Sequence, residues 1–335
     1  KYTGEASILA ILMMIFGVAI LLLNQISVKS RKSYTTVTGK SGQISKFNLG
    51  RSGKYIIAII LIIITFFTSI FPIVSFAFET FLPNPGDYSF LYTGDPDNLT
   101  TKWWVTNENI TENGMYGQQG ILYNDMIWHA YKGTIMVSVC CALTAGTIGT
   151  LIGYAVSKNR RSRWANYVNS VAFLPYLMPS IAVGVAFFIL FSNKYVNLFN
   201  TYALLIIVGT VKYIPFASRS SLNSMLQLSG EIEEAAIIQD IPWTKRMTRI
   251  IIPIQKTSII SGYLLPFMTC LRELSLFILL CVQGFILSTT LDYFDEMGLY
   301  AFSSGINLIL IVTILICNAL VNKATGASLD KGIGG

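Results

Sequence analysis

The chain has 335 residues, of which 53% are hydrophobic and 12% charged, about half the charged share of an ordinary soluble domain. Lys and Arg number 24 against 17 Asp and Glu, giving a formal net charge of +7, and the mean hydropathy is +0.58. These values exclude a disordered chain, a disulfide scaffold and most soluble enzymes, and they predict an all-α polytopic transmembrane helical bundle.

A membrane-crossing helix needs about 20 mostly apolar residues. Seven stretches meet that length, at 7–26, 55–78, 129–156, 166–191, 201–218, 257–284 and 299–321. The first is followed, not preceded, by positive charge, which is the reverse of a secretory signal. It reads as a span entering from outside. Because the chain starts at Lys1 rather than Met, earlier spans are expected before it. Residues 27–54 form a Ser-, Thr-, Gly- and Lys-rich connector that carries Lys29, Arg31, Lys32, Lys40, Lys46, Arg51 and Lys54 with no acid.

The segment 79–128 reverses that balance, with Glu79, Asp87, Asp95, Asp97, Glu108, Glu112 and Asp125 against Lys102. The next loop, 157–165, is basic again through Lys158, Arg160, Arg161 and Arg163. Lys and Arg are retained on the cytoplasmic side, so the two basic loops face in and segment 79–128 faces out. Parity then places 219–256 inside, 285–298 outside and the tail 323–335 inside. The positive excess thus sets orientation and gives no reason to invoke nucleic acid as a partner. Trp103, Trp104 and Trp128 in the outer segment read as interfacial anchors, and a loop of that length is also a candidate platform for an extracytoplasmic protein.

Several residue types carry no chemistry by themselves. The five cysteines, Cys140, Cys141, Cys270, Cys281 and Cys317, all sit in apolar stretches without a CxxC pair, and His129 is the lone histidine. No metal site or disulfide framework follows. Thr38-Gly39-Lys40-Ser41 has Tyr34 where a phosphate loop needs its first Gly, so it is not an ATP site.

The spans contain marked positions. Pro175, Pro179, Pro215 and Pro266 each remove a backbone donor, and Pro175 and Pro179 either widen a pathway or kink a helix. Lys212 is expected to snorkel to the cytoplasmic interface near Arg219. Arg272 lies roughly 24 Å along a helix counted from Lys256, and buried intramembrane charge usually faces a bundle interior or wet cavity. Either Arg272 meets an anionic substrate or metal chelate while Glu273 bonds to another helix, or both brace the bundle.

Loop 219–256 is too long for a plain connector. Ser229 and Gly230 precede Glu231, Glu233 and Glu234, acids placed to complement a helix dipole. Ala235 and Ala236 permit close approach to a partner. Asp240 and Pro242 break this helix, and Pro242 suits the first position of a second one, which carries Lys245, Arg246 and Arg249.

This loop resembles the Glu-Ala-Ala motif of ABC-importer permeases. It reads Glu234-Ala235-Ala236, three residues, Asp240, nine residues, then Ile250-Ile251-Ile252-Pro253. Asp240 stands where the family has Gly, and Ile252 where it has Leu. The family Gly is expected to supply a left-handed turn, which Asp tolerates better than most residues. The segments Tyr34–Lys40, Leu174-Pro175-Tyr176-Leu177-Met178-Pro179 and Leu271-Arg272-Glu273-Leu274-Ser275 are similar to the linker, the Pro-rich span and the span after the coupling loop of fused ferric-iron permeases.

The resemblance implies a division into residues 1–26, the last span of a preceding half; 27–54, a basic linker; 55–322, a six-span permease domain; and 323–335, a tail. It implies a multi-pass protein of the bacterial cytoplasmic membrane, with no catalytic residues and no metal or other cofactor of its own. A cytoplasmic ABC ATPase dimer would hold ATP and Mg. An extracytoplasmic substrate-binding protein, membrane lipid and the preceding permease half (on the same or a separate polypeptide) complete its partners. Glu234, Ala235, Ala236, Asp240, Ile250 and Pro253 would serve ATPase coupling, and Arg272, Glu273, Pro175 and Pro179 the pathway. Ferric iron is the implied substrate, with 2-aminoethylphosphonate, sugar phosphate, thiamine and polyamine as alternatives within the class. An ion-gradient-driven transporter would instead call for an inverted repeat and acids on several spans, and Glu273 is the one plausible intramembrane acid. A scaffold without transport leaves the long loop and deep Arg272 unexplained.

Overall fold

A computed structural model describes residues 50–93, 99–110 and 117–325, together with 8, 11–13, 15–17 and 19. Most of the expected span 7–26, the connector 27–49, the Tyr34–Lys40 segment and the tail beyond 325 lie outside the described residues. Among those described, regular structure is helical, apart from isolated bridges pairing Ile110 with Gln118 and Ser192 with Asn197. Four helices are long and apolar enough to cross a membrane, or up to six if two sharply bent pairs each count as one span. The result is an all-α, polytopic, membrane-spanning bundle.

The first span, Ser52–Glu79, is assembled from α1 (Gly50–Thr65), a π turn (Phe66–Ile70) and α2 (Phe71–Glu79). Its π turn has a local cause. Pro72 has no N–H for the carbonyl of Thr68 and its ring crowds that turn, so the helix widens and Phe71 N–H reaches back five residues to Phe66.

The centre of the bundle is α3 (Asp125–Lys158) crossed by α6 (Tyr202–Gln227), with α8 (Lys256–Leu271) packed on both. Asn124 caps α3 by accepting from Ile127 N–H at 3.2 Å. Asp125 in the first turn and Lys158 in the last complement its dipole. Glycines let the axes approach: a Cβ on Gly149 would lie 2.5 Å from Ala217 Cβ, and one on Gly153 2.7 Å from Ser221 Cβ. Val137, Cys141, Leu204, Leu205, Val208, Tyr213 and Phe277 fill the resulting core.

Between α3 and α6 lie α4 (Arg163–Leu177) and α5 (Ser180–Phe191), bent by 100° at the intervening residues. After α6 the chain forms α7 (Gly230–Ile238), a short helix Trp243–Arg246, a second π turn Met247–Ile251 and Ile252–Ile254, then turns by 86° into α8. The chain closes with α9 (Leu287–Glu296) and α10 (Tyr300–Thr325). Loops assigned by charge to one side meet at one end of the bundle: Glu233 pairs with Lys158 at the basic end, and Trp103 packs on Phe302 at the acidic end, ring centroids 5.9 Å apart.

Four expectations are corrected. The apolar run 257–284 is not one helix, because α8 stops at Leu271 and residues 272–286 are turns and bends. The run 166–191 is two helices. The span starting near 201 continues to Gln227, so the connecting loop is 228–255 rather than 219–256. Trp103 is a core residue rather than an interfacial anchor: it is 7% exposed and its indole N–H donates to the Leu82 carbonyl at 2.8 Å.

Candidate functional site

The loop 228–255 is built by capping. Ser229 Oγ accepts from Glu231 N–H at 3.3 Å, and Glu231 and Glu233 lie in the first turn of α7. At the other end Asp240 has φ +51°, in the left-handed region. Its N–H donates to the carbonyl of Ile237 at 2.9 Å, and Ile241 N–H donates to that of Ala236 at 3.1 Å. Those two bonds constitute a Schellman termination with Asp at the position usually held by Gly. Pro242 is the N-cap of the next helix, with ψ 151°, and Trp243 is its first residue, one later than the sequence implied. The second π turn stands in the same relation to Pro253 as the first does to Pro72, and Ile252 N–H bonds to Met247 O.

Helical spacing then sorts the residues of α7 by face. Glu231, Glu234, Ala235 and Ile238 point outward, with Ile238 83% exposed. Ile232, Ile237 and Trp243 add exposed apolar surface beside them. Glu233 and Ala236 point inward and are buried. Ile250 is half-buried, and Pro253 is exposed.

Glu233 meets two other elements. Tyr154 Oη donates to its Oε1 at 2.5 Å, Lys158 Nζ pairs with Oε2, and Arg246 Nε lies 3.8 Å from Oε1. Burial pushes its carboxyl pKa up, but the hydrogen bonds from Lys158 and Tyr154 and the charges of Lys158 and Arg246 outweigh that, holding it below the ordinary carboxylate value. Sequence reasoning treated the three acids alike. The available signal was that Glu233 and Ala236 are three apart on one face, while Tyr154 and Lys158 are four apart on another helix.

The second cluster lies at the far end of α8, about 24 Å of helix rise from Lys256. Lys212 does not snorkel. It is 8% exposed and donates to the carbonyls of Pro175 at 3.0 Å and Met178 at 2.6 Å. Pro179, the N-cap of α5, has no N–H to return to Pro175 O, and Ala182 N–H bonds Pro179 O instead of Met178 O. A break inside an apolar layer leaves carbonyls that need donors, and the ammonium group supplies them.

The neighbouring residue of α6, Tyr213, donates to Glu273 Oε2 at 3.1 Å. Glu273 Oε1 accepts from Leu276 N–H at 3.2 Å. Arg272, the C-cap of α8, is exposed; its backbone N–H donates to the carbonyl of Cys270, and no hydrogen bond or ion pair of its guanidinium is found among the described residues. Both carboxylate oxygens of Glu273 are therefore engaged and the positive charge of Lys212 is spent on carbonyls, while the guanidinium of Arg272 is presented outward.

The turns that follow are held by side chains of other elements. Val282 N–H donates to Asn200 Oδ1 at 3.1 Å, Gly284 N–H to Thr290 Oγ1 at 2.9 Å and Leu287 N–H to Thr134 Oγ1 at 2.7 Å. Ser288 Oγ donates to Glu273 O at 2.8 Å, and His129 Nδ1 faces Gly284 O at 2.9 Å. Among the described residues no group of three or more His, Cys, Asp or Glu side chains is placed to hold a metal ion.

Residues 145–327 match the family described as the binding-protein-dependent transport system inner membrane component. A putative ferric transport system permease protein of Haemophilus influenzae is 24% identical over 279 residues, covering 83% of this chain and 40% of that protein. The molybdate/tungstate transport system permease protein of Pyrococcus abyssi is 22% identical over 190 residues, 56% of this chain and 75% of its own length. The chain spans about two fifths of the length of the ferric relatives it matches. A crystal structure of a bacterial ABC transporter involved in the import of the acidic polysaccharide alginate contains a chain of like fold, with TM-score 0.59, 16% identity, and 82% of this chain and 98% of that one covered. The family match spans more than half of the sequence, so the chain belongs to this family of membrane permease components and is a transport subunit rather than an enzyme.

Proposed function

We propose that the chain is one permease half of an ATP-driven, binding-protein-dependent importer of the bacterial cytoplasmic membrane, with α7 docking on a cytoplasmic ATPase dimer. The observation that carries this reading is the sorting of α7. Its buried face is bonded to α3, and its opposite face offers Glu234, Ala235 and Ile238 beside a patch of exposed isoleucines and Trp243. A short capped helix with an exposed apolar face at the basic end suits a protein partner. Asp240 fixes the exit of that helix, and Ile250 and Pro253 lead the chain back toward α8. ATP and Mg belong to the partner. A substrate-binding protein on the acidic side and a second permease half complete the assembly.

Ferric iron is carried over from the names of the ferric relatives and from the resemblance of the Pro175–Pro179 and Arg272–Glu273 segments. The chain's own chemistry favours an anion at the break, where Arg272 is outward and Glu273 is engaged, and an anionic ferric chelate satisfies both. The phosphonate, sugar phosphate, thiamine and polyamine alternatives are separated by transport assays with each compound.

The decisive experiment is affinity purification of the tagged full chain from membranes of its source organism. An ABC ATPase should copurify in fixed stoichiometry. Its absence from chain that is intact and membrane-inserted overturns the reading.

A further inference from the structure

We propose that Glu233 is the positioning residue that ties movement of α7 to α3, and through α3 to the turn segment at the opposite end of the bundle. The inference rests on the importer reading above and concerns a residue outside its docking face.

Three observations support it. Glu233 is the one buried carboxylate among the described residues, at 5% exposure, and its partners come from two other elements: Tyr154 and Lys158 of α3, and Arg246 beyond the Asp240 turn. The carboxylate is the buried member of its pair with Lys158, whose side chain is 36% exposed, so losing these partners leaves a buried charge uncompensated. A displacement of α7 that kept this cluster intact would have to carry the end of α3 with it.

The second observation is that α3 is built to transmit. It runs 34 residues without a proline, whereas α4, α6 and α8 contain Pro175, Pro215 and Pro266. Proline is the commonest cause of a helix kink, so α3 lacks the hinge found in its neighbours.

Third, the far end of α3 grips the non-helical segment. His129 Nδ1 faces Gly284 O, a Cβ on Gly133 would lie 2.2 Å from Phe285 O, and Thr134 Oγ1 holds the N–H of Leu287, where the segment enters α9. One uninterrupted rod therefore touches α7 at its basic end and the chain after Arg272 at the other.

The test uses the complete importer in proteoliposomes, reading an anionic ferric chelate transported per ATP hydrolysed. Glu233→Gln keeps the shape and removes the charge, and Glu234, Ala235 and Ile238 are untouched. Transport per ATP should fall about tenfold, within the usual range of coupling between distant sites, while the ATPase still copurifies. Tyr154→Phe, which removes one hydrogen bond and no charge, should move the ratio the same way by less. Exchanging the charges in Glu233→Lys with Lys158→Glu should restore part of the ratio. Native transport per ATP in Glu233→Gln overturns the proposal, as does loss of ATPase binding in that variant, which would make Glu233 a support of the docking face only. Failure of the native chain to bind an ATPase overturns the importer reading instead, so the two failures are distinguishable.

Discussion

Lys212 donates to the carbonyl of Pro175, the acceptor that Pro179 leaves without a helical partner. A lysine buried in an apolar layer is costly unless its protons are used, and here the broken backbone uses two of them. Lys212→Met removes a buried charge but leaves the Pro175 and Met178 carbonyls unbonded. Each such group costs about 1–3 kcal/mol, which outweighs the relief. The variant should unfold in detergent several degrees below the native chain. An unchanged transition temperature would show that the elbow needs no donor.

Asp240 occupies a backbone conformation with φ +51°. Left-handed geometry costs an L-residue roughly 1–2 kcal/mol, less for Asp than for branched side chains. Asp240→Gly should therefore raise stability by up to about 1 kcal/mol and leave uptake unchanged. Thermal unfolding read alongside uptake checks it, and a destabilised variant would mean that the carboxylate makes a contact in the assembled transporter.

The depressed pKa of Glu233 gives a signed pH dependence. Its contribution to stability is complete above the unfolded-state carboxylate pKa and is lost as pH falls through the lower, folded-state value. The gap in transition temperature between the native chain and Glu233→Gln should be widest near neutral pH and close on acidification. A gap that stays constant into the acid range contradicts the assignment.

Glu234→Lys reverses charge on the outward face of α7 without touching the Glu233 cluster. The chain should insert normally and uptake should be abolished. Membrane fractionation and radiolabelled uptake together read both halves, and normal uptake removes the coupling role from this residue.

Arg272→Gln separates a substrate contact from a brace. An exposed guanidinium without a partner among the described residues contributes little to stability, so the transition temperature should hold. Uptake of an anionic ferric chelate should fall roughly tenfold, the scale of one charged hydrogen bond. Lowered stability with unchanged uptake would favour bracing.

The sequence made some parts of this architecture easier to read than others. The α7 turn was legible because capping and left-handed turns are decided locally, by Ser229 and Asp240, within a few residues. The end of α8 was not, because Leu274 to Ile286 is apolar and hydropathy does not distinguish a buried helix from a buried turn. The same limitation hid the 100° elbow behind the continuous run 166–191, although Pro175 and Pro179 marked its place. Lys212 was misplaced since its partners are backbone carbonyls 34 and 37 residues away, made available only by the break. Glu233 was passed over because three acids in one turn look alike until the fold places Tyr154 and Lys158 beside one of them.

The segment 272–286 carries a further consequence. Its peptide groups, and that of Leu287 which follows it, are held by Thr134 and His129 of one helix, Asn200 of a loop, and Ser288 and Thr290 of another helix. These residues are far apart in the chain yet answer to the same stretch of backbone. Replacing any one leaves an amide or carbonyl of that stretch without its partner, so descendants of this gene are expected to alter them in concert or not at all. Correlated change among those five positions in related sequences would trace the seam without any coordinates.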